Sequence, residues 1–294
     1  MGSLFVFSPA HADLNTGLVA NYSFDDCTAK DVSGNGHDGT INGNPQCVDG
    51  TKGKAFSFDG VSSYISVPDK NADFIQENMT ISVFVNPSEN QLGSSSGLPI
   101  ILDKSHAFDG SGWVIEKVDT SNENFSFFFA YFNPEIGDFV NSLGESQKID
   151  TTSGKWNHFT IVKQGKVVRN YSNGILVSTN TYTGSAIKTN TNPLMIGAVN
   201  AERVRAFFTG SIDDIRIYNR ALSETEVKSL YNVGQLSGTV NGVQKYSAVC
   251  KNLKTGVSKK IALADGAKEW NCTAAGLKAK KGENVSVTIT GVSQ

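Results

Sequence analysis

The chain has 294 residues, 39% of them hydrophobic and 18% charged, with a formal net charge of −2. That length accommodates one large domain plus a small one, or two of middling size, and the near-neutral charge removes any electrostatic case for nucleic acid or an anionic membrane. No apolar run approaches the roughly 18 residues of a membrane-spanning helix, and 29 glycines against 7 prolines suit many short strands joined by tight turns.

At the N-terminus, Leu4-Phe5-Val6-Phe7 is apolar and Ala10-His11-Ala12 has the small-x-small form of a signal-peptidase site. Residues 1–12 therefore read as the remnant of a signal peptide or as a tag, with the mature chain starting near Asp13 and exported by a bacterial-type route to the cell surface or medium. Four cysteines fit that compartment. Their local grouping suggests Cys27–Cys47 and Cys250–Cys272, although four cysteines allow three connectivities. No CxxC is present, so zinc-ribbon and thioredoxin-like chemistry lack support.

Strand signals then recur along the chain: 17–24, 55–58, 64–67, 80–85, 99–102, 113–118, 125–132, 158–163, 194–197 and 212–218. Many alternate apolar with polar, as in Thr80-Ile81-Ser82-Val83-Phe84-Val85, and this period of two predicts half-buried antiparallel strands. Asp59-Gly60, Asp109-Gly110 and Asn173-Gly174 supply turn chemistry between them. One helix is predicted. Ser223-Glu224-Thr225-Glu226 is a capping box, followed by Val227, Leu230 and Tyr231 at helical spacing and stopped by Gly234. Beyond Val233–Leu236 the composition turns to Lys, Gly and Thr, with short strands at 246–251, 258–262 and 285–290. The expected organisation is a β-sandwich over 13–233 and a small disulfide-containing β-domain over 237–294, which is all-β throughout.

The ordered series Gly17–Phe24, Asp31–Gly39, Ala55–Gly60, Thr80–Val85, Lys155–Phe159 and Gly210–Ser223 resembles the laminin-G-like jelly-roll family of the concanavalin A-like lectin/glucanase fold. Each motif is weak alone; six in order over residues 14–232 carry the resemblance. It implies two curved antiparallel sheets packed face to face and a structural Ca²⁺ at the sandwich edge. It also implies a role as a carbohydrate-binding or adhesive module (a lectin) of a secreted protein.

The loop Asp31-Val32-Ser33-Gly34-Asn35-Gly36-His37 can be read for calcium from its residues. Side-chain oxygens fall at every second position, on Asp31, Ser33 and Asn35, and Gly36 lets the His37 carbonyl turn inward, as in the first half of an EF-hand loop. The bidentate acid of that pattern is missing, since Asn42 stands in its place. Asp213 is the candidate replacement, expected to share the inward face of its strand with Ile215 and Ile217, where an acid needs a cation or hydrogen bonds. Family members place a metal-ligating acid in this last strand. The other reading of the loop is an Asx turn without metal.

Catalytic motifs do not hold. Gly34–Gly39 fits GxGxxG without the strand and helix a dinucleotide site needs. Gly93-Ser94-Ser95-Ser96-Gly97 fits GxSxG in a Ser/Gly-rich loop rather than a strand–turn–helix. The acidic pairs Glu116/Asp119 and Glu135/Asp138 have the wrong period to share one strand face as paired glycosidase carboxyls. His106 and His158 lack a nucleophile. For ligand contact, the run Phe125–Phe132 stands out: Phe125, Phe127, Phe129 and Tyr131 alternate with Ser126, Phe128, Ala130 and Phe132, and only one face can enter the core. The other is either covered by residues 133–150 or the C-terminal domain, or is a platform on which sugar rings stack through Tyr131 or Phe132, with Trp113 as a second candidate. The function expected is therefore a secreted, calcium-stabilised, carbohydrate-binding or adhesive protein and not an enzyme, with a glycan or cell-surface ligand as partner. A self-associating surface-assembly subunit, or a divergent glycoside-active enzyme, is the alternative.

Overall fold

The computed structural model describes residues 14–69, 71–88, 99–105, 110–121, 124–141, 151–152, 154–200, 206–233, 237–239, 246–252, 257–262, 269–271 and 285–291. The chain divides into two compact units, one ending at Leu230 and the other starting at Tyr231. The first unit begins with β1 (Leu18–Tyr22), β2 (Thr40–Asn42), β3 (Gln46–Asp49), β4 (Lys54–Asp59) and β5 (Tyr64–Val67). It continues with β6 (Met79–Pro87), β7 (Ile100–Asp103), β8 (Trp113–Ser121), β9 (Asn124–Asn133), β10 (Asp138–Asn141) and β11 (Thr151–Thr152). Then come β12 (Asn157–Gln164), β13 (Val167–Ser172), β14 (Ile175–Thr181), β15 (Leu194–Ile196), β16 (Thr209–Tyr218) and helix α1 (Glu224–Val233). The second unit holds β17 (Ser237–Thr239), β18 (Tyr246–Asn252), β19 (Ser258–Ala262), β20 (Glu269–Asn271) and β21 (Val285–Gly291). There β17 pairs with β20, and β18 lies between β19 and β21. Cys272, and with it the expected Cys250–Cys272 bridge, lies outside the described residues.

Two eight-stranded sheets make the sandwich. One runs β14-β13-β12-β6-β16-β4-β3 with β1 also on β16; the other runs β10-β9-β8-β7-β15-β5-β2 with β11 on β9. All pairings are antiparallel. Alternation feeds the space between them: Ile81, Val83 and Val85 of β6 and Ile212, Ile215 and Ile217 of β16 meet Trp113, Ile115, Phe127, Phe129 and Tyr131 from the opposite sheet. Phe127 and Phe159 touch across the gap with ring centres 6.1 Å apart. On the outer face of the first sheet, Val227 and Leu230 of α1 pack on Val162, Tyr171, Tyr218 and Leu222. The capping box forms as its sequence predicts: Glu226 N donates to Ser223 Oγ at 3.3 Å and Ser223 N to Glu226 Oε2 at 2.8 Å. Cys27 and Cys47 are bonded, closing a 20-residue separation, which stabilises the fold by about 3 kcal/mol through the unfolded chain.

The chain passes between sheets at residues 68–78, from β5 to β6, and at residues 182–193, from β14 to β15. Irregular backbone there leaves carbonyls without ladder partners, and two fully buried lysines take them up. Lys104 Nζ pairs with Asp69 at 3.1 Å and donates to Asn190 Oδ1 (2.7 Å) and to the carbonyls of Asn190 (3.2 Å) and Asn192 (2.5 Å). Lys163 Nζ donates to the carbonyls of Glu77 (3.0 Å), Gly165 (2.9 Å) and Ser185, and stands 5.2 Å from the Tyr131 ring centre. Each ammonium thus holds both crossings at once.

A buried charge left without its partner costs far more than the pair is worth. Lys104→Met is expected to lower the unfolding free energy by about 3–5 kcal/mol in a urea titration, because Asp69 stays buried and uncompensated. The double variant Lys104→Met/Asp69→Leu should recover much of that loss; a double variant no more stable than the single one contradicts this account.

Candidate functional site

The loop at residues 31–37 is organised around one buried carboxylate. Asp31 Oδ1 accepts the backbone N–H of Asn21 (3.0 Å) and Ser33 (2.9 Å), and Oδ2 accepts the Ser33 hydroxyl (2.8 Å) and the His37 N–H (3.1 Å). Asn35 Nδ2 donates to the carbonyls of Leu18 (2.8 Å) and Val19 (2.9 Å), and the His37 carbonyl accepts the Tyr22 hydroxyl at 2.7 Å. These are the bonds of an Asx turn, and they lay the loop across β1.

Asp213 is held elsewhere, and its face differs from the expected one. Residues 209–212 of β16 pair with β4, and residues 215–218 pair with β1. Between the two neighbours the strand bulges, with a register shift between Asp213 and Arg216 and Asp214 at φ 48°. The extra residue resets the alternation, so that Ile212, Ile215 and Ile217 line the core and Asp213 does not share their face. Its carboxylate fills the gap between β4 and β1 instead: Oδ2 accepts the Thr51 N–H and hydroxyl, both at 3.1 Å, and Oδ1 accepts the Asp214 N–H at 2.7 Å. Asp25 Oδ1 accepts Lys54 N–H at 3.2 Å from the other side of the same turn. The turn can approach both acids because it carries glycine: a Cβ on Gly50 would lie 2.4 Å from Asp213 Oδ2, and one on Gly53 would lie 1.9 Å from Asp25 Oδ1. Asp31, Ser33, Asn35 and His37 are thus bonded within their own loop and to β1, whereas Asp213 is bonded to the turn at residues 50–54, which Asp25 also meets. Among the described residues no three His, Cys, Asp or Glu side chains form a metal cage.

The aromatic strand places Phe127, Phe129 and Tyr131 in the core, as alternation predicts. Trp113 and Tyr131 are fully buried, and Trp113 Nε1 donates to the Phe74 carbonyl at 2.8 Å. Neither offers a ring face to a sugar, which corrects the expectation for both. Phe132 is half-buried, edge-on to Phe139 at 5.4 Å, with Lys188 Nζ 5.5 Å from its ring centre. Part of the segment expected to cover this face instead forms β10, which extends the sheet beside β9.

A polar cleft of about 620 Å³ opens where the 31–37 and 68–76 loops meet. Asn35, Gly36 and His37 form one wall, Pro68, Asn71, Asp73 and Gln76 the other, and Leu18, Val19 and Asn219 the remainder. His37 Nε2 lies 3.7 Å from Asp73 Oδ2, and its ring packs 4.8 Å from Phe74. The second wall is tied down by the same acid that meets Lys104, since Asp69 also accepts the Asp73 N–H at 2.8 Å. Sequence reading finds the first wall and misses Asn71, Asp73, Gln76 and Asn219. The available signal was the polar stretch between the strands at 64–67 and 80–85.

Burial and the charges of Asp31, Asp38 and Asp69 push the Tyr22 hydroxyl well above the usual tyrosine range. On the outer face of the second sheet, burial and then the charge of Asp103 push Glu116 up to about 7. His158 is fully buried, bonded to Ser82 Oγ at 2.7 Å, and desolvation brings it down to about 3, so it is a neutral structural residue. Glu135 accepts the Ser185 N–H at 3.1 Å and so serves the 182–193 crossing. Gly93–Gly97 and His106 lie outside the described residues.

Residues 59–228, more than half the chain, match a laminin-G family model described as the Concanavalin A-like lectin/glucanases superfamily. The chain is 26% identical over 226 residues to Paraclostridial mosquitocidal protein 1 of Paraclostridium bifermentans, an alignment covering 74% of this chain and 18% of that protein. Its fold is similar to that of the binding domain of the same protein, with TM-score 0.58 and 20% identity over 85% of this chain and 64% of that one. It is also similar to domain 4 of AbnA, a GH43 extracellular arabinanase from Geobacillus stearothermophilus, in a structure with arabinotriose. There the TM-score is 0.55 and the identity 24%, over 73% of this chain and 98% of that domain.

A carboxyl whose folded pKa is raised binds its proton more tightly in the folded state, so stability falls as pH rises between the unfolded and folded values. Relative to Glu116→Gln, the protein should lose about 1–2 kcal/mol of unfolding free energy between pH 4.5 and 7, after discounting for partial exposure. Parallel stability curves for the two proteins across that window would refute the burial argument.

Proposed function

We propose, from the premise that the chain belongs to the Concanavalin A-like lectin/glucanases superfamily, that it is a secreted module that binds a short oligosaccharide and performs no chemistry on it. The observation that carries this reading is the polar cleft, open to solvent and walled by side-chain amides. Amides donate and accept at one group, as sugar hydroxyls do. Glycoside hydrolysis needs two carboxyls across the scissile bond, and Asp73 is the one carboxylate among the described lining residues. The arabinotriose bound to the similar domain of AbnA supports a saccharide ligand, and the Cys27–Cys47 bond supports an oxidising, extracytoplasmic location. No helix among the described residues is long and apolar enough to cross a membrane.

The structural calcium implied by the family resemblance belongs, in this reading, to the turn at residues 50–54, where the carboxylates of Asp25 and Asp213 would hold it. Oxygen donors of this kind suit calcium, and its contribution would be stability at the gap between β4 and β1.

A second reading, assembly with further copies of the chain, is favoured by β14. This strand ends its sheet, has no charged residue or proline to discourage pairing, and exposes Ile175, Leu176 and Val177. Concentration-dependent light scattering that Val177→Lys abolishes would support it.

A glycan array probed with the full chain is expected to return defined saccharide hits; an empty array, with folding verified, overturns the leading reading. For calcium, melting in a hundredfold excess over Kd should exceed that in chelator by about 5–10 °C. Asp213→Asn should remove the difference. Identical melting of the unaltered protein in the two buffers removes the metal from the account.

A further inference from the structure

We propose that the Cys27–Cys47 bond is a redox latch on the turn at residues 50–54. Closed, it holds Asp25 to that turn; opened by an external dithiol, it lowers the affinity of the turn for calcium while the sandwich stays folded. This rests on the calcium reading of Asp25 and Asp213 and adds to it a dependence on redox state. The two acids are anchored differently. Asp213 is fully buried on β16, a strand paired with β1, β4 and β6. Asp25 is half-buried on the loop that follows β1. On one side of it, Phe24 is buried and meets Phe56 edge-on with ring centres 5.0 Å apart. On the other side, Cys27 is bonded to Cys47 of β3, and β3 runs directly into the 50–54 turn. The Cys27 N–H closes the loop on the Phe24 carbonyl at 2.8 Å. Asp25 thus stands between one anchor in the core and one on the strand leading into the turn that it meets.

Phe24 and Cys27 have φ of 51° and 58°, left-handed backbone that non-glycine residues hold where their surroundings impose it. The bridge is one such constraint, and its loss favours relaxation of the loop away from the turn. The Lys54 N–H reaches Asp25 Oδ1 at 3.2 Å, the long end of the hydrogen-bond range, so that bond restrains the loop less than a covalent link does. At the other end of the bridge, β3 ends its sheet beside β4. Both cysteines are exposed, so a thiolate can reach the sulfurs, and opening the bond leaves the core packing in place. In that opening one thiolate of the dithiol attacks a bridge sulfur, forming a mixed disulfide and releasing the other cysteine, which takes up a proton. The second thiolate then closes the reductant into its own cyclic disulfide and releases the second cysteine. The bridge gains two electrons and two protons, and the dithiol loses them. A cation must then order the Asp25 loop as it binds, and this cost appears as lost affinity.

The test uses the full chain oxidised, reduced with dithiothreitol, and as the variant Cys27→Ser/Cys47→Ser. Calcium is titrated by calorimetry, with near-ultraviolet circular dichroism in chelator as the folding control. The oxidised chain is expected to bind calcium about tenfold more tightly than the reduced chain or the variant, and reoxidation should restore the affinity. By reciprocity, saturating calcium should shift the dithiothreitol equilibrium of this bridge about tenfold toward the disulfide. That shift is read on the unaltered chain by alkylation and mass spectrometry, so it does not depend on the variant folding. Equal calcium affinity in the oxidised and reduced chains, or a bridge equilibrium that bound calcium leaves unmoved, overturns the latch and leaves calcium binding standing. A folded variant that keeps the oxidised affinity while reduction lowers it assigns the effect to other cysteines and overturns the latch as well. Loss of the native circular dichroism on reduction shows that the bridge serves the whole fold, which also overturns it. An oxidised chain that binds no calcium defeats the calcium reading and this proposal together.

Discussion

Two ammonium groups without access to water fix this sandwich. Stacked sheets need the chain to cross from one to the other, and each crossing strips backbone carbonyls of ladder partners. Here Lys104 and Lys163 each reach both the 68–78 and the 182–193 crossings. Removing such a charge from water is unfavourable by itself; oxygen ligands on several sides offset that penalty, and in Lys104 a carboxylate does so as well. The arrangement is an internal cation site in which the cation is covalently part of the fold.

That constraint reaches the cleft through Asp69. The carboxylate that compensates Lys104 also accepts N–H groups of the 68–76 loop, so the wall carrying Asn71, Asp73 and Gln76 inherits the rigidity of the core. The opposite wall has its own hub in Asp31, which takes donors from β1 and from both ends of the 31–37 loop. Two acids, neither of them facing the ligand space, thereby set the spacing of the residues that do. Recognition surfaces on loops gain precision from this kind of support.

Strands with strong apolar alternation were legible in the sequence, since β6, β8, β9, β12 and β16 each bury one face in the main core. So was α1, whose capping box is a local signal. The strands β13 and β14 escaped notice although their Asn173-Gly174 turn was visible, because polar residues such as Arg169, Asn170 and Ser178 dilute the alternation. The site was half legible. Asp31 stood out by spacing, but the same oxygen-rich spacing serves a metal loop and an Asx turn, and the partners that complete the turn's hydrogen bonds, such as Asn21, are distant in sequence. Asp213 was assigned to the wrong face because a bulge is a one-residue insertion with no compositional mark, and here it arises where β16 changes neighbours. Trp113 and Tyr131 were offered as ligand contacts because aromatic residues carry no label for inside and outside. Asn71 and Gln76 were invisible, being ordinary surface amides until folding sets them opposite His37.

The position of β16 has a further consequence. It pairs with β1, β4 and β6, joining the first strand to the last of the sandwich across some two hundred residues of chain. During synthesis, β1 has no partner until residues 209–218 have left the ribosome, so closure of the first sheet waits for nearly the whole domain. A chain released early, or cleaved upstream of Thr209, lacks the keystone strand and leaves its apolar inner surfaces uncovered. Such late closure makes the emergence of a single segment the moment at which the sheet locks.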